Sequence, residues 1–440
     1  MPKAKLVTFG CQANELDSAR IAGILAKQGY SLTEDEREAD LVILNGCSIR
    51  EKAEQKLFSR LGTLQALKAE NPRLRLGVAG CLAQREGAAL LRRFPYLDLV
   101  VGNGEHLAEI PQLLTIAPGQ PAVAASEPVG LFPEDTEIHR DSLVRAWVGI
   151  MEGCDNFCTF CVVPFTRGRE RSRRPDDILR EVVRLRDAGY REITLLGQTV
   201  NSYGQKLDPV VSFAELLRRI DAAVGPGIRV RFTTSYPPDV TPELAEAMAS
   251  LESVCEHIHL PVQAGSTRTL ARMQRNYARE EYLEKVALLR SAVPDLAITT
   301  DIIVGFPGET DADFAETLSL MEQVGFDGCF AFKFSPRRGT PAADLLDPVP
   351  ESLKAERLRR VHEVQGCLSL DRNRALIGQV LEVLSDRELQ KRDSGLGAGR
   401  TRQNKIVHFR GEGVMEGSLL NVEITDATSH HLKGLLIASA

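Results

Sequence analysis

The chain has 440 residues, of which 43% are hydrophobic and 26% are charged, and this composition excludes a disordered chain. Its formal net charge of −6 excludes a uniformly basic nucleic-acid binder but leaves room for a local basic patch. Its nine cysteines are too sparse for a disulfide-rich secreted scaffold, so those that cluster are expected to bind metal or to act in catalysis.

The N-terminal 116 residues are predicted to form an open parallel α/β domain. Amphipathic segments follow three β-rich runs, which are Lys5–Phe9, Leu41–Asn45 and Leu76–Ala79. This alternation indicates helices packed on a parallel sheet. The tract 117–139, which begins rich in Pro, Gly, Ala and Ser, is interpreted as a linker. The start of the chain lacks the apolar stretch of a signal peptide, and no run is long enough to span a bilayer, so we expect a cytoplasmic protein without a membrane partner.

Residues 140–374 repeat the strand–helix alternation and predict a partial (β/α)6 barrel. The six expected strands are Val144–Met151, Ile193–Leu196, Arg229–Thr233, His257–Leu260, Ala297–Val304 and Gly328–Phe334. Active sites of such barrels lie at the C-terminal ends of the strands. In residues 375–440, short β-rich runs alternate with Gly-rich turns and predict a small antiparallel β-barrel. The predicted fold class is therefore α/β, with three domains.

Three cysteines directly after the first barrel strand have the spacing C-x3-C-x2-C, and they are Cys154, Cys158 and Cys161. A loop can wrap three thiolates around one iron–sulfur cluster, and three ligands for a four-iron cluster leave one iron open to a substrate or cofactor. A structural zinc site is the alternative. Zinc usually takes a fourth Cys or His, and no other Cys or His lies close by in the sequence.

Cys11, Cys47 and Cys81 share one local context, because each follows a predicted strand and is preceded by glycine. The carboxyl ends of parallel strands lie along one edge of a sheet, where ligands bind. The repeated placement predicts that the three thiols converge, and the alternative is three small residues at tight turns. Outside both triads we expect packing roles, as small hydrophobic side chains, for Cys255, Cys329 and Cys367.

The central triad, placed after the first of six βα units, resembles the radical S-adenosylmethionine superfamily. The segment DIIVGFPGE (301–309) is similar to the superfamily's fifth-strand motif that contacts adenine, and its glycines would admit a ligand close to the backbone. Segments along essentially the whole chain resemble motifs of the methylthiotransferase family and occur in the same order as in that family. They are TFGCQANE, CSIREKA, GVAGCLAQ, IMEGC, VVPFTRG, LLGQTVNSY, RFTTS and HLPVQAGS. Ala13 and Gly46 depart from the family pattern, where Met and Thr are usual, without removing a ligand.

Within the family, VVPFTRG and LLGQTVNSY are most similar to the bacterial enzymes that methylthiolate isopentenyladenosine next to the anticodon of tRNA. The resemblance implies two [4Fe-4S] clusters, the central one binding S-adenosylmethionine and the auxiliary one, on Cys11, Cys47 and Cys81, carrying or donating sulfur. S-adenosylmethionine would be both methyl donor and radical source, and no acid–base catalyst is assigned, because an aromatic C–H of adenine resists acid–base activation. The resemblance implies cofactor contacts by Gly197, Gln198, Gln263, Asp301 and Gly305.

Two basic stretches predict contacts with a tRNA substrate. The first, Thr166–Arg174, directly follows the central cysteines, and the second runs from Arg387 to Arg410 in a module that resembles the TRAM-like RNA-binding domain of many tRNA-modifying enzymes. Arginine binds phosphate through its bidentate fork, and the alternative for each stretch is a solvated charged face. The side chains predicted to contact RNA are Arg167, Arg169, Arg171, Arg400, Arg402 and Lys405.

Other functions stay open on the residues alone. A sibling of the family would methylthiolate another tRNA adenosine derivative or a ribosomal protein side chain with the same clusters. A noncatalytic iron–sulfur carrier would need no open iron, and a zinc-dependent RNA-binding protein would hold zinc instead. For the enzyme we expect a monomer that takes its electrons from a donor such as flavodoxin or ferredoxin.

Overall fold

The computed structural model describes the chain apart from residues 49–50, 118, 128–137, 141, 347, 391–395, 412–413 and 438–440. The described residues form two compact units. The first consists of Met1–Asp141, Met151–Phe157 and Cys161–Arg173. The second consists of Ser142–Ile150, Cys158–Phe160 and Arg174–Ala440. The segment that carries the central cysteines therefore contributes residues to both units.

The first unit is built on a six-stranded parallel sheet. Its strands are β1 (Lys3–Phe9), β2 (Ser31–Leu32), β3 (Leu41–Gly46), β4 (Arg75–Ala79), β5 (Leu99–Val101) and β6 (Ala122–Ala124). They are arranged in the order β2-β1-β3-β4-β5-β6, and all neighbours are parallel. The chain forms β2 on one side of β1 and β3 on the other, so the topological switch point lies between β1 and β3.

Helices pack on both faces of this sheet. The helices of the first unit are α1 (Gln12–Lys27), α2 (Glu51–Glu70), α3 (Cys81–Glu86), α4 (Ala89–Arg93), α5 (Ile110–Leu114) and α6 (Val163–Thr166). Strand β3 is buried along its whole length, and its alternate residues enter two separate cores. Leu41 and Ile43 pack with α1 and α5, while Val42 and Leu44 pack with α2. A strand that is apolar on both faces is typical of a parallel sheet between helical layers.

The central part of the second unit is an open arrangement of six parallel strands. They are β7 (Arg145–Gly149), β10 (Glu192–Leu196), β11 (Arg229–Thr233), β12 (His257–His259), β13 (Ala297–Val304) and β14 (Gly328–Lys333). Between β7 and β10 the chain forms a ribbon of the first unit, β8 (Met151–Glu152) with β9 (Arg171–Ser172). The sheets β7-β10-β11 and β12-β13-β14 meet where β11 contacts β12, so the six strands follow one another in chain order. This is the arrangement of a partial barrel.

Seven helices among the described residues of the second unit accompany these strands. They are α7 (Pro175–Asp187), α8 (Phe213–Val224), α9 (Pro242–Ser250), α10 (Thr267–Arg272), α11 (Arg279–Ala292), α12 (Asp311–Val324) and α13 (Glu351–Arg374). Most of them lie between successive strands, as the predicted βα units require. Arg357 of α13 forms a buried ion pair with Glu309, at 2.7 Å, which anchors this last helix beside the end of β13.

A closed five-stranded barrel ends the second unit. Its strands are β15 (Val380–Ser385), β16 (Gly397–Thr401), β17 (Ile406–Arg410), β18 (Leu419–Ala427) and β19 (Leu432–Leu436). They close in the order β15-β16-β17-β19-β18 around a core that includes Val383, Val407 and Phe409. The pair β17 with β19 is parallel, which differs from the fully antiparallel barrel expected from the sequence.

The predicted α/β fold class is confirmed, with an open parallel sheet, a partial barrel and a small β-barrel in that order. The tract 117–139 is not simply a linker, because Ala122–Ala124 adds strand β6 to the first sheet, and residues 128–137 of it lie outside the described residues. The predicted division into three domains stays a prediction. Among the described residues, no helix is both long enough and apolar enough to cross a membrane.

Candidate active site

The three N-terminal cysteines lie at the carboxyl edge of the first unit's sheet. Cys11 follows β1, Cys47 follows β3 and Cys81 begins α3 after β4. These strands are neighbours, and β1 and β3 flank the switch point, where open α/β sheets bind ligands. The side chains of Cys11 and Cys47 are hydrogen-bonded, and Cys11 and Cys81 interact electrostatically. The structure thus brings together the cysteines that the repeated strand–Gly–Cys pattern predicted to converge.

The surroundings of these thiols favour different protonation states. The hydrogen bond with Cys47, aided by the charge of Arg167, lowers the pKa of the Cys11 thiol to about 5 despite its burial. Such a thiol is a thiolate at neutral pH, and the thiolate is the form that binds metal. Burial raises the pKa of the Cys81 thiol, so metal binding there would release a proton.

Buried side-chain amides surround the thiols, and none of them was predicted from the sequence. Asn103 donates from Nδ2 to Sγ of Cys81 at 3.2 Å. The thiol of Cys11 lies 3.6 Å from Oδ1 of Asn14, whose Nδ2 donates to Oδ1 of Asn45 at 3.0 Å. Asn45 donates in turn to the backbone carbonyl of Asn14 at 2.8 Å. Partners of this kind orient metal ligands and tune the bound metal.

Gly80, which precedes Cys81, is required by this arrangement. Its φ of 88° is in the left-handed region, and a Cβ there would lie 2.1 Å from Oδ1 of Asn45. We expect Gly80→Ala to displace Asn45 and to lower the free energy of unfolding by about 1–3 kcal/mol. The control is Gly62→Ala in α2, where a Cβ would meet nothing within 4 Å. That change should stabilise the protein by about 0.5–1 kcal/mol, and urea denaturation showing equal effects would contradict the assignment.

Arg167 does not lie on an RNA-accessible surface, which corrects the prediction made for it. Its side chain is only 6% exposed and donates to Oδ2 of Asp17 at 2.6 Å and to Oε1 of Glu152 at 2.9 Å. Arg171 is also turned toward Glu152, at 3.0 Å, and its side chain is 15% exposed. Arg169 differs, because its side chain is 69% exposed while it pairs with Asp155 at 2.8 Å.

The central cysteines are held by backbone and side-chain hydrogen bonds in both units. In the first unit, the N–H of Cys154 donates to the carbonyl of Gly168 at 3.2 Å, and Nδ2 of Asn156 lies 3.6 Å from Sγ of Cys154. Cys161, also in the first unit, is partly exposed. Cys154 is buried.

Cys158, in the second unit, lies against Arg275. Nη1 of Arg275 donates to Sγ of Cys158 at 3.4 Å, and its Nη2 donates to the carbonyl of Pro261 at 3.0 Å. The guanidinium lies 4.7 Å from the ring centre of Tyr236 and 5.2 Å from that of Tyr277. This arginine is fixed on several sides, and nothing in the sequence pattern singled it out.

The residues predicted to contact the cofactor lie after strands of the partial barrel or on them. Gly197 and Gln198 directly follow β10, and Oε1 of Gln198 is buried without a hydrogen-bond partner, an acceptor that a ligand could satisfy. The N–H of Gln263 donates to the carbonyl of Asp301 at 2.9 Å. The carboxylate of Asp301 lies 3.5 Å from Nε2 of His259 and is 28% exposed. These residues stay predicted cofactor contacts.

The backbone at Gly305 leaves no space for a side chain. Its φ is 70°, and a Cβ there would lie 2.3 Å from Cγ of Lys354 in α13. The absent side chain therefore makes room for Lys354, whereas the sequence predicted that it makes room for a ligand. Whether the backbone of Gly305 also contacts the cofactor stays a prediction.

The three basic residues predicted to bind RNA on the C-terminal barrel form ion pairs or hydrogen bonds with other residues of the second unit. Arg402 forms a bidentate ion pair with Glu256, at 2.8 Å, and donates to the carbonyl of Val254 at 2.6 Å. Lys405 pairs with Asp327 at 2.7 Å. Arg400 hydrogen-bonds Asn404 in its own hairpin at 3.3 Å. These contacts show that the three side chains help to pack the barrel, and their contact with RNA stays a prediction. Lys391 and Arg392 of the same stretch lie outside the described residues.

Two buried arginines of β11 complete this packing. Arg229 donates to the carbonyl of Arg400 at 2.6 Å and pairs with Glu382 at 2.8 Å. Arg231 donates to the carbonyls of Thr401 and Arg402 at 2.7 and 2.6 Å, and its Nε pairs with buried Glu192 at 2.8 Å. The final barrel is thus attached to the partial barrel by charged hydrogen bonds, which are stronger than neutral ones.

The three remaining cysteines differ in burial. Cys255 is buried, and burial raises its thiol pKa, as it does for the partly buried Cys329. Both agree with the predicted packing role. Cys367 is exposed on α13, so the prediction that it packs as a hydrophobic side chain is wrong.

Among the described residues, no three His, Cys, Asp or Glu side chains are placed to hold a single metal ion. A four-iron cluster is bound differently, since each thiolate binds a separate iron atom. The N-terminal triad fits such a group, because it combines a low-pKa thiol at Cys11 with an amide donor to Cys81.

The fold and the central cysteine loop are those of a radical S-adenosylmethionine protein. Residues 148–321 match the Radical SAM superfamily, and residues 3–102 match a family described as Uncharacterized protein family UPF0004. A radical S-adenosylmethionine methyltransferase, TsrM from Kitasatospora setae, has the same fold with a TM-score of 0.57, at 13% identity over 78% of this chain and 75% of that chain. The cobalamin-dependent S-adenosylmethionine radical enzyme OxsB gives a TM-score of 0.54 at 14% identity. The match covers 83% of this chain and 56% of the OxsB chain.

Curated relatives match nearly the whole length. The tRNA-2-methylthio-N(6)-dimethylallyladenosine synthase of Moorella thermoacetica is 47% identical over 437 residues, covering 98% of both chains. The synthase of the same name from Thermoanaerobacter sp. is 46% identical over 98% of this chain and 92% of that one. The chain belongs to the family of tRNA-2-methylthio-N(6)-dimethylallyladenosine synthases, and the family predicted from the sequence is confirmed.

Proposed function

We propose that the protein replaces a hydrogen on the adenine ring of isopentenyladenosine, next to the anticodon of tRNA, with a methylthio group. S-adenosylmethionine serves as methyl donor and as radical source. One observation carries the proposal beyond family membership: a second cysteine triad converges at the switch point of the N-terminal sheet, in addition to the central triad. Two cluster sites suit a reaction that needs both a radical and a source of sulfur.

The cofactors proposed for these sites are two [4Fe-4S] clusters and S-adenosylmethionine. When bound, the central cluster supplies the electron that cleaves S-adenosylmethionine, and the auxiliary cluster supplies an iron site for sulfur. Around them the protein's own groups position the ligands: Asn103 holds Cys81, and Arg275 holds Cys158. The open acceptor of Gln198 favours it among the five proposed cofactor contacts, which are Gly197, Gln198, Gln263, Asp301 and Gly305.

Arg169 is the proposed phosphate contact that stays exposed. We expect Arg169→Gln to weaken tRNA binding and to reduce the slope of log affinity against log salt by about 1, because one cation fewer displaces counterions. The matched control is Arg219→Gln, an exposed arginine of α8 that also pairs with a carboxylate, Glu215, at 2.8 Å. Binding titrations at several salt concentrations test this, and identical slopes for the two variants would remove Arg169 from the interface.

The remaining partners are proposed from the chemistry. Cleavage of S-adenosylmethionine consumes an electron, so we propose a one-electron donor such as flavodoxin or ferredoxin. Because the substrate is tRNA, we propose a cytoplasmic enzyme, and we propose that it works as a monomer.

The experiment that tests the proposal is mass spectrometry of tRNA nucleosides from cells that lack this protein. We expect methylthio-isopentenyladenosine to disappear and isopentenyladenosine to accumulate, with recovery when the gene is restored. Persistence of the methylthio nucleoside would contradict the proposal and favour the sibling activity on a ribosomal protein.

A further inference from the structure

Each cysteine triad has one arginine fixed beside it. Arg167 interacts with Cys11 and Cys81 of the N-terminal triad, and Arg275 contacts Cys158 of the central triad. Arg167 is buried and Arg275 is partly buried, whereas long cationic side chains are mostly exposed. A guanidinium stays protonated under all physiological conditions, so each site holds a permanent positive charge.

The contacts that hold Arg167 here belong to the first unit. It directly follows α6, which contacts α3, the helix that begins at Cys81. Asp17 and Glu152 hold its two terminal nitrogens at 2.6 and 2.9 Å. The side chain of Arg167 is only 6% exposed, and its loss would take this partner away from two buried carboxylates.

Other arginines share the two carboxylates that hold Arg167. Asp17 is also approached by Arg20 at 3.6 Å, and Glu152 by Arg171 at 3.0 Å. The charge of Arg167 interacts with Cys11 and Cys81 of a triad that binds metal only as thiolates. Removal of Arg167 would take one positive charge away from this group of side chains.

Arg275 acts on its triad more directly. Its hydrogen bond to Sγ of Cys158, at 3.4 Å, joins a cation to the sulfur of a predicted iron ligand. Nε of Arg275 also donates to the hydroxyl of Tyr277 at 3.1 Å, and Nη2 donates to the carbonyl of Pro261. These neutral partners orient the guanidinium and do not neutralise it.

We propose that Arg167 and Arg275 are positioning residues that each set the reduction potential of one iron–sulfur cluster, the auxiliary and the central cluster respectively. The inference rests on the proposed function, which places a cluster on each triad. Reduction adds one negative charge to a cluster, and a nearby cation stabilises the more negative state. Potentials of iron–sulfur clusters follow net charge and hydrogen bonds to sulfur.

The test uses two full-length parent proteins, each with one cluster. The first carries Cys154→Ala, Cys158→Ala and Cys161→Ala, and the second carries Cys11→Ala, Cys47→Ala and Cys81→Ala. Arg167→Gln and Arg275→Gln are each introduced separately into both parent proteins. The reconstituted proteins are titrated with dithionite, and the electron paramagnetic resonance signal of the reduced cluster is recorded. This readout does not depend on tRNA or on turnover.

We expect each glutamine variant to lower the equilibrium constant for one-electron reduction of its own cluster at least tenfold, which is about 59 mV. Its effect on the other cluster should be smaller. The lysine variants, Arg167→Lys and Arg275→Lys, retain the charge and should stay within about threefold of the parent. They also provide the test if a glutamine variant does not bind iron.

The inference would be overturned if the glutamine variants left the equilibrium constant for cluster reduction unchanged. It would also be overturned if the lysine variants lowered that constant tenfold. A larger effect of Arg167→Gln on the central cluster than on the auxiliary cluster would overturn it as well. Absence of any cluster signal from a parent protein is a different result, because it would overturn the proposed function and this inference with it.

Discussion

Alanine at Cys11, Cys47 and Cys81 together should abolish formation of methylthio-isopentenyladenosine while cleavage of S-adenosylmethionine to deoxyadenosine continues. The reason is that these thiols lie at the edge of the N-terminal sheet. The central triad, which we propose holds the cluster that binds S-adenosylmethionine, is a separate set of residues. Iron should fall from about eight to about four atoms per chain, since one of two four-iron clusters is lost. Product analysis and iron quantitation on the same reconstituted sample measure both effects.

The matched control is Cys367→Ala, which removes an exposed thiol of α13 and should leave iron content and product formation unchanged. The complementary variant, Cys154→Ala with Cys158→Ala and Cys161→Ala, should lose deoxyadenosine as well as the product. If the N-terminal variant kept its full iron content, the second cluster site would be wrong. If it kept product formation, that site would have no part in sulfur transfer.

Arg231→Met should destabilise the second unit more than any surface substitution. Arg231 is the ion-pair partner of Glu192, which is 3% exposed, and it also satisfies two backbone carbonyls of the C-terminal barrel. Removing one member of a buried ion pair costs about 3–5 kcal/mol, because the other charge loses its hydrogen-bonded partner. Urea denaturation followed by the fluorescence of Trp147, the single tryptophan, which lies in β7, measures the loss.

Arg219→Met is the control, because Arg219 and Glu215 are both 42% exposed and form an ordinary surface pair. Its effect should stay within about 1 kcal/mol. If Arg231→Met lowered the free energy of unfolding by a similarly small amount, the contacts of β11 with the C-terminal barrel would contribute little to stability.

The positions of the cysteines could be predicted because the signal was local and repeated. A β-rich run, a glycine and a cysteine recur at Cys11, Cys47 and Cys81, and parallel strands place their carboxyl ends at one edge. The strand order was not predictable, since it depends on which side of β1 the chain takes after α1. The switch point between β1 and β3 therefore emerged only from the structure.

The amides around the triad were missed, although one signal for them exists in the sequence. Asn45 ends an otherwise apolar run immediately before Gly46, and Asn103 stands between two glycines after β5. A polar residue at the carboxyl end of a buried strand needs a partner there. Asn14 offered no such signal, because an asparagine near the start of a helix is common even where no ligand binds.

The basic stretches misled because a run of charge does not say where each side chain ends. Arg167 and Arg169 are two residues apart, yet one is buried between carboxylates and the other is mostly exposed. Arg402 found its partner in Glu256, distant in sequence. Charge counting along the chain cannot identify such long-range partners, so it did not show that Arg167 is buried or that Arg402 is paired within the protein.

Methylthiolation of tRNA by the purified protein can be measured in a defined reaction. Protein reconstituted with iron and sulfide is given a reductant, S-adenosylmethionine and tRNA that contains isopentenyladenosine, and the nucleosides are then analysed by mass spectrometry. We expect 2-methylthio-isopentenyladenosine to form with loss of isopentenyladenosine, and not to form on tRNA whose adenosine lacks the isopentenyl group. Deoxyadenosine production with the isopentenyladenosine unchanged would contradict the account.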